Sequence, residues 1–180
     1  MTPRVPAPAS AGEGNPFTIR DALPADAPAI AAVLTAAFPT EAESTLVTAL
    51  RATGDAAIEL VAEAPDGAIL GHVLLSPMMA GAQRALALAP LSVVPSAQRR
   101  GLGAALVRKA LERARARPEG WCLVLGDPRY YGRFGFAADA ASQVTGVPWS
   151  GHPAFQALAL HEASPLAGDA RYAQAFGLLD

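Results

Sequence analysis

The sequence predicts one α/β domain, a mixed sheet covered by helices. Three observations predict it. The 180 residues are the size of a single domain. The hydrophobic period changes repeatedly between about 3.6 and 2 along the chain. The resulting order, β-α-α-β-β-β-α-β-α-β-β, interleaves strands and helices instead of separating them into two units. No internal repeat competes with this reading.

Residues 1–15 are rich in Pro, Ala, Gly and Ser without any period, and are expected to be a disordered leader to a domain spanning 16–180. Phe17 and Ile19 alternate with Thr18 and Arg20, a first strand ending near Asp21. Ile30, Val33, Leu34, Ala37 and Phe38 lie on one helical stripe, with Asp26 placed as its N-cap, Pro28 in its first turn and Pro39 as its stop. Thr40-Glu41-Ala42-Glu43 has the form of a capping box before a second helix carrying Leu46, Val47 and Leu50 inward and ending at Gly54. Ile58–Ala64 and Ile69–Leu75 flank Pro65-Asp66-Gly67 and read as a hairpin. A loop holding Pro77, Gly81 and Arg84 precedes a long buried strand, Ala85–Val94, closed by Pro95. Gly101–Arg117 is an amphipathic helix with Leu102, Leu106, Ala110 and Ala114 on one side. Trp121–Leu125 is a continuous apolar run, the mark of a strand covered on both faces. A turn at Gly126-Asp127-Pro128 leads into a short helix, Arg129–Phe134, ended by Gly135. Weaker strands are expected near Ser142–Val144 and Phe155–Leu160, and residues 161–180 carry no clear pattern.

Composition excludes several functions. With 52% hydrophobic and 17% charged residues the chain is globular, although much of the apolar share is alanine. A net charge of -2 argues against a dedicated nucleic-acid binder. Cys122 is the lone cysteine, so no intramolecular disulfide or multi-cysteine metal site can form. His152 and His161 have no partners at metal-ligand spacing, and no metal is expected. No apolar run is long enough to span a membrane, and the N-terminus lacks the apolar core of a signal peptide. A cytoplasmic protein is expected.

The most informative stretch is Leu91-Ser92-Val93-Val94-Pro95 followed by Gln98-Arg99-Arg100-Gly101-Leu102-Gly103-Ala104. A buried strand ends at a proline, and an Arg/Gly loop opens directly into a helix. The first N–H groups of a helix have no intrahelical partners and sit at its positive end, so such a loop suits an anion. Glycine at 101 and 103 lets a phosphate approach those amides. The loop equally suits a plain helix entry with packing glycines and solvated arginines. A dinucleotide fingerprint would need glycine where Leu106 stands, and no Gly-Lys-Ser/Thr of a P-loop occurs.

This loop resembles the Gln/Arg-x-x-Gly-x-Gly/Ala motif of the GCN5-related N-acetyltransferase (GNAT) family. Tyr131-Gly132-Arg133-Phe134-Gly135-Phe136 is similar to that family's Tyr-x-x-x-Gly-Phe signature, in the same order and at about the same spacing. The run from Gly126 to Phe136 looks closest to the YhbS-type acetyltransferases. The resemblance implies a single-domain, mostly antiparallel sheet with helices on both faces and strands four and five splayed apart. It implies acetyl-coenzyme A as acyl donor, its arm held along Leu91, Ser92 and Val93 and its diphosphate by Arg99, Arg100, Gly101, Leu102, Gly103 and Ala104. Tyr131 then matches the acid that protonates the departing thiolate.

Strand five carries no acid and its connection to the short helix is brief, so the resemblance assigns no general base. Glu59, Glu43, His72 and Asp127 are the candidates. The point has energetic weight: an amine of pKa about 10.4 is neutral about once in 2,500 at pH 7, roughly 4.6 kcal/mol unless its proton is accepted. Half of the 14 basic residues fall in Arg99–Arg117, which suits the phosphates of coenzyme A. The expectation is an N-acetyltransferase acting by direct attack in a ternary complex on an amine-bearing small molecule or peptide, as a monomer or homodimer, without nucleic acid or membrane. The alternatives are a non-catalytic acyl-coenzyme A sensor and, from another class, a basic-helix nucleic-acid module.

Overall fold

A computed structural model describes residues 16–178 of the chain. The expected leader, 1–15, lies outside the described residues. The elements follow the predicted order with one strand added: β1 (Thr18–Asp21), α1 (Ala27–Ala37), α2 (Ala42–Thr53), β2 (Ile58–Glu63), β3 (Ile69–Ala80), β4 (Gln83–Val93), α3 (Leu102–Arg115), β5 (Trp121–Leu125), α4 (Pro128–Tyr131), β6 (Val144–Thr145), β7 (Phe155–Ala159) and β8 (Gly168–Arg171). The sheet runs β1-β2-β3-β4-β5-β7, with β8 joining β3 where β2 has ended. Every pair along that path is antiparallel except β4 with β5.

Both faces of the sheet are covered, which is why β2 carries three consecutive buried residues in place of an alternating pattern. Leu60 points to α3, packing with Leu102, Leu106 and Ala110. Val61 points the other way, into a second cluster with Ile30 and Leu34 of α1 and Leu46 and Leu50 of α2. A third cluster, around Leu123, Phe155 and Ala157, lies beneath the C-terminal segment.

The β4–β5 pairing is short. It spans only Ala85↔Trp121 to Ala87↔Leu123, although β4 continues to Val93 and β5 to Leu125. The divergence begins at a bulge, where β4 places Ala89 and Pro90 between the partners of Val73 and Leu75. A bulge increases local twist and bends its strand, and Pro90 has no N–H to contribute to a ladder. Beyond Ala87 the edge of β4 facing β5 is therefore unpaired, and the strands part as the resemblance implied.

Three local expectations are corrected. Pro77 lies inside β3, not in a loop. It is tolerated because it pairs with Leu86 on one side only, between the end of β2 opposite Leu75 and the start of β8 opposite Met79. Asp26 does not cap α1: its carboxylate accepts from the Leu23 N–H at 2.7 Å and is gripped by Arg20. The capping box at the start of α2 does not close, since only a long contact from the Ala42 N–H reaches Thr40 Oγ1. Gly54, by contrast, ends α2 in the left-handed conformation at φ 78°.

Candidate active site

Where β4 and β5 part, the N-terminus of α3 opens into a cavity of about 490 Å³. Leu91 and Val93 form its wall from β4, Gln98, Arg99 and Gly101 its loop, Gly103 and Ala104 its helical side, and Tyr130 and Arg133 its far rim. The loop is held by Gln98, whose side-chain amide donates to the Val93 carbonyl at 3.0 Å. Arg99 and Gly101 both adopt positive φ, 61° and 82°. For arginine that is an uncommon, strained conformation, imposed by the sharp entry from loop to helix. Among the described residues no side chain caps α3, and the first closed bond is from the Ala105 N–H to the Gly101 carbonyl. The amides of Leu102, Gly103 and Ala104 thus stay free at the positive end of a 14-residue helix.

The cavity depends on Gly103. A Cβ there would lie 2.9 Å from the Tyr130 hydroxyl and 3.5 Å from Val93 Cγ2. Gly101 has nothing within 4 Å of a built Cβ, so its requirement is conformational.

Of the residues expected to form the site, Leu91, Val93, Arg99, Gly101, Gly103 and Ala104 line one cavity. Ser92 turns its side chain to the opposite face, where it is buried and its hydroxyl approaches the His72 carbonyl at 3.5 Å. Leu102 is buried in the core, and Arg100 is exposed at the rim. None of these three is among the residues that line the cavity. Tyr131 is not part of the lining. Its ring packs against Gly126, where a Cβ could not fit, and edge-on against Phe136 at 5.8 Å between ring centres.

Tyr130 and Arg133 line the cavity instead, and sequence reasoning did not place them there. The Arg133 guanidinium stacks 4.5 Å from the centre of the Tyr130 ring and donates through Nε to the Tyr130 carbonyl at 3.1 Å. Their spacing of three residues on a short helix was the available signal, since it puts both on one face while Tyr131 points elsewhere. Burial raises both phenols above the ordinary tyrosine range, so each keeps its proton at neutral pH.

The base candidates separate. Glu59 and His72 meet on the face opposite α3, Nε2 to Oε1 at 2.9 Å, and Arg51 holds the other Glu59 oxygen at 3.0 Å. Glu43 lies on α2 with one carboxylate oxygen buried and without a partner among the described residues. Asp127 caps α4 by accepting from the Arg129 N–H at 2.8 Å.

This arrangement has close counterparts. The family model "Acetyltransferase (GNAT) family" matches residues 27–136. The uncharacterised N-acetyltransferase YhbS of Escherichia coli strain K12 is 36% identical over 120 residues, covering 66% of this chain and 72% of that protein. The solved structure of the Escherichia coli YhbS in complex with coenzyme A superposes with a TM-score of 0.85 at 30% identity, covering 93% of this chain and 95% of that one. A GNAT-family acetyltransferase from Brucella melitensis, solved with acetyl-coenzyme A, gives 0.75 at 36% identity, covering 89% and 97%. A strand pair that splays beside the bare amides of a helix N-terminus, inside a chain this similar to those proteins, settles the kinship: the chain belongs to the acetyltransferase (GNAT) family.

Proposed function

We propose that this chain transfers the acetyl group of acetyl-coenzyme A to an amine of a small molecule or peptide, by direct attack within a ternary complex. One observation carries the reading: free amides of α3, the arginines Arg99 and Arg133 and an unpaired strand edge converge on a single cavity. The diphosphate fits the amides from Gly101 to Ala104, with Arg99 and Arg100 supplying charge at the rim. Backbone groups of Leu91, Ser92 and Val93, freed from β5, suit the amide-bearing arm and the thioester carbonyl. An N–H aimed at that carbonyl oxygen stabilises the negative charge that develops there. Tyr131 is the proposed acid for the thiolate. The relatives solved with coenzyme A and acetyl-coenzyme A support the choice of donor. A cytoplasmic site of action, where this donor is found, and a monomeric or homodimeric state belong to the same proposal.

A non-catalytic acyl-coenzyme A sensor is favoured by one observation: the Tyr131 ring is absent from the cavity lining. Two measurements test both readings. Acetyl-coenzyme A at 100 times its dissociation constant should add about 2.7 kcal/mol to stability. A melt unmoved at millimolar ligand would end both. Thiol release in the presence of a panel of primary amines then separates them, since a sensor binds without turnover.

A further inference from the structure

We propose that Arg133 and Arg108 hold the 3'-phosphate on the ribose of coenzyme A, and so make this chain selective for the complete cofactor over its 3'-dephospho form. The inference rests on the acetyl-coenzyme A reading. It assigns the end of that molecule which the amide cradle and the β4 edge leave without a partner.

Both arginines are exposed, and neither belongs to an ion pair among the described residues. Both are nonetheless placed by aromatic rings. The Arg133 guanidinium lies 4.5 Å from the centre of the Tyr130 ring, and it and the Arg108 guanidinium each lie 5.5 Å from the centre of the Phe134 ring. Those two rings meet edge-on at 5.6 Å between centres. Arg133 Nε is engaged with the Tyr130 carbonyl at 3.1 Å, which orients the group and leaves its two terminal nitrogens without an acceptor among the described residues. The carboxylates of α3 and of the turn before α4 are occupied elsewhere: Glu112 accepts from Lys109, and Asp127 from the Arg129 N–H.

An aromatic face attracts a guanidinium but does not cancel its charge. Two such cations drawn to one ring repel each other, and an anion lying between them reverses the sign of the interaction. The free nitrogens of an oriented guanidinium match the oxygens of a phosphate two at a time. A phosphate monoester is the fitting anion, since it carries close to two negative charges at neutral pH.

The place of the pair in the fold selects which phosphate this is. Arg133 lines the same cavity as Gly101, Gly103 and Ala104. Arg108 stands one turn beyond Ala104, on the same face of α3. Under the proposed function the arm of the cofactor leaves the cradle along Leu91–Val93, on the β4 side. The nucleoside then leaves on the other side, where Tyr130 and Arg133 form the rim. A ribose holds its 3'-phosphate only a few bonds from the 5'-diphosphate, so the second phosphate site must lie within one sugar of the cradle. The arginine pair is the unpaired positive charge on that side.

Calorimetric titration of the full chain with coenzyme A and with 3'-dephospho-coenzyme A tests this. Both compounds keep the arm and the diphosphate, so the ratio of their dissociation constants isolates the 3'-phosphate from the rest of the molecule. Wild type should bind coenzyme A at least about 10-fold more tightly, the effect of losing one charge-assisted contact. Arg133→Gln and Arg108→Gln should each lower that ratio, and the double variant should bring it within about threefold of unity, with melts confirming that each variant folds. Arg99→Gln, in the loop, should weaken both compounds alike. Wild type binding the two compounds equally would overturn the assignment while leaving the donor reading intact. A double variant that keeps the full preference would also overturn it, because the phosphate would then be held elsewhere. Wild type binding neither compound would remove the donor reading itself, and this site with it.

Discussion

Replacing Gly103 with alanine should damage binding while leaving the fold almost untouched, and the structure supplies the magnitudes. The new methyl would stand 2.9 Å from the Tyr130 hydroxyl, 3.5 Å from Val93 Cγ2 and 4.0 Å from Leu91 Cδ2. Only the tip of one half-buried ring has to yield, at a cost of roughly 0.5–1 kcal/mol. Alanine is favoured over glycine in a helix by up to about 1 kcal/mol, which offsets that strain. Stability should therefore stay within about 1 kcal/mol of wild type, or about 2–4 °C in Tm for a domain of this size. Binding has no such compensation. The methyl stands between β4 and Tyr130, on the approach to the Gly103 and Ala104 amides. Losing one charge-assisted hydrogen bond to the diphosphate costs roughly 1.5–3 kcal/mol, or about 10- to 150-fold in Kd. Calorimetric titration with acetyl-coenzyme A and melts without ligand measure the two quantities. Gly101→Ala is the contrast: open space surrounds its Cβ, yet φ 82° makes it pay about 1–2 kcal/mol in stability. If Gly103→Ala binds within threefold of wild type yet melts more than about 5 °C lower, the glycine serves packing and the reading of the cradle is wrong.

Three further outcomes are expected. Tyr131→Phe should fold and bind the donor but lose about 10²–10⁴ in kcat, roughly 3–5 kcal/mol of barrier, whereas Tyr130→Phe should act mainly on Kd; the reverse pattern would move the acid to Tyr130. Asp26→Asn should cost about 1–2 kcal/mol at pH 7, because the hydrogen bonds from Arg20 hold that carboxyl at about 2, below its ordinary 3.8. A depressed carboxyl stabilises above its unfolded value and loses the effect as it protonates, so urea unfolding should show the difference from wild type shrinking between pH 4 and pH 2. Burial pushes the Cys122 thiol well above the ordinary range, so iodoacetamide should label it at the rate of global unfolding; fast labelling of the native protein would refute its place in the core.

Most of the architecture was legible in one dimension. The α3 stripe of Leu102, Leu106, Ala110 and Ala114 and the middle of the β5 run, Cys122 to Val124, each match one periodicity and are buried as expected, whereas Leu125 at the end of β5 is exposed. The glycine stops at Gly54 and Gly135 stand at positive φ, as their type suggests. The uncapped amides at the start of α3 were legible too, because a strand, a sharp loop and a helix start are contiguous in sequence. Pro77 and β8 were not. A proline within a strand is readable only when its neighbours are known, and β8 has four residues of which one is buried.

The sequence by itself determined which backbone amides are left free at the start of α3, since these depend on neighbours a few residues apart. Only the tertiary structure decided which side chains meet across the sheet. Arg51, Glu59, His72 and Ser92 come from α2, β2, β3 and β4, and their meeting depends on strand register and on which face each residue takes. A shift of one residue would turn His72 toward α3 and dissolve the group. Tyr130 and Tyr131 divide for a similar reason. Adjacent residues on a short helix point about 100° apart, and the seating of α4 against Gly126 and Phe136 determines which ring fills the core and which faces the cavity.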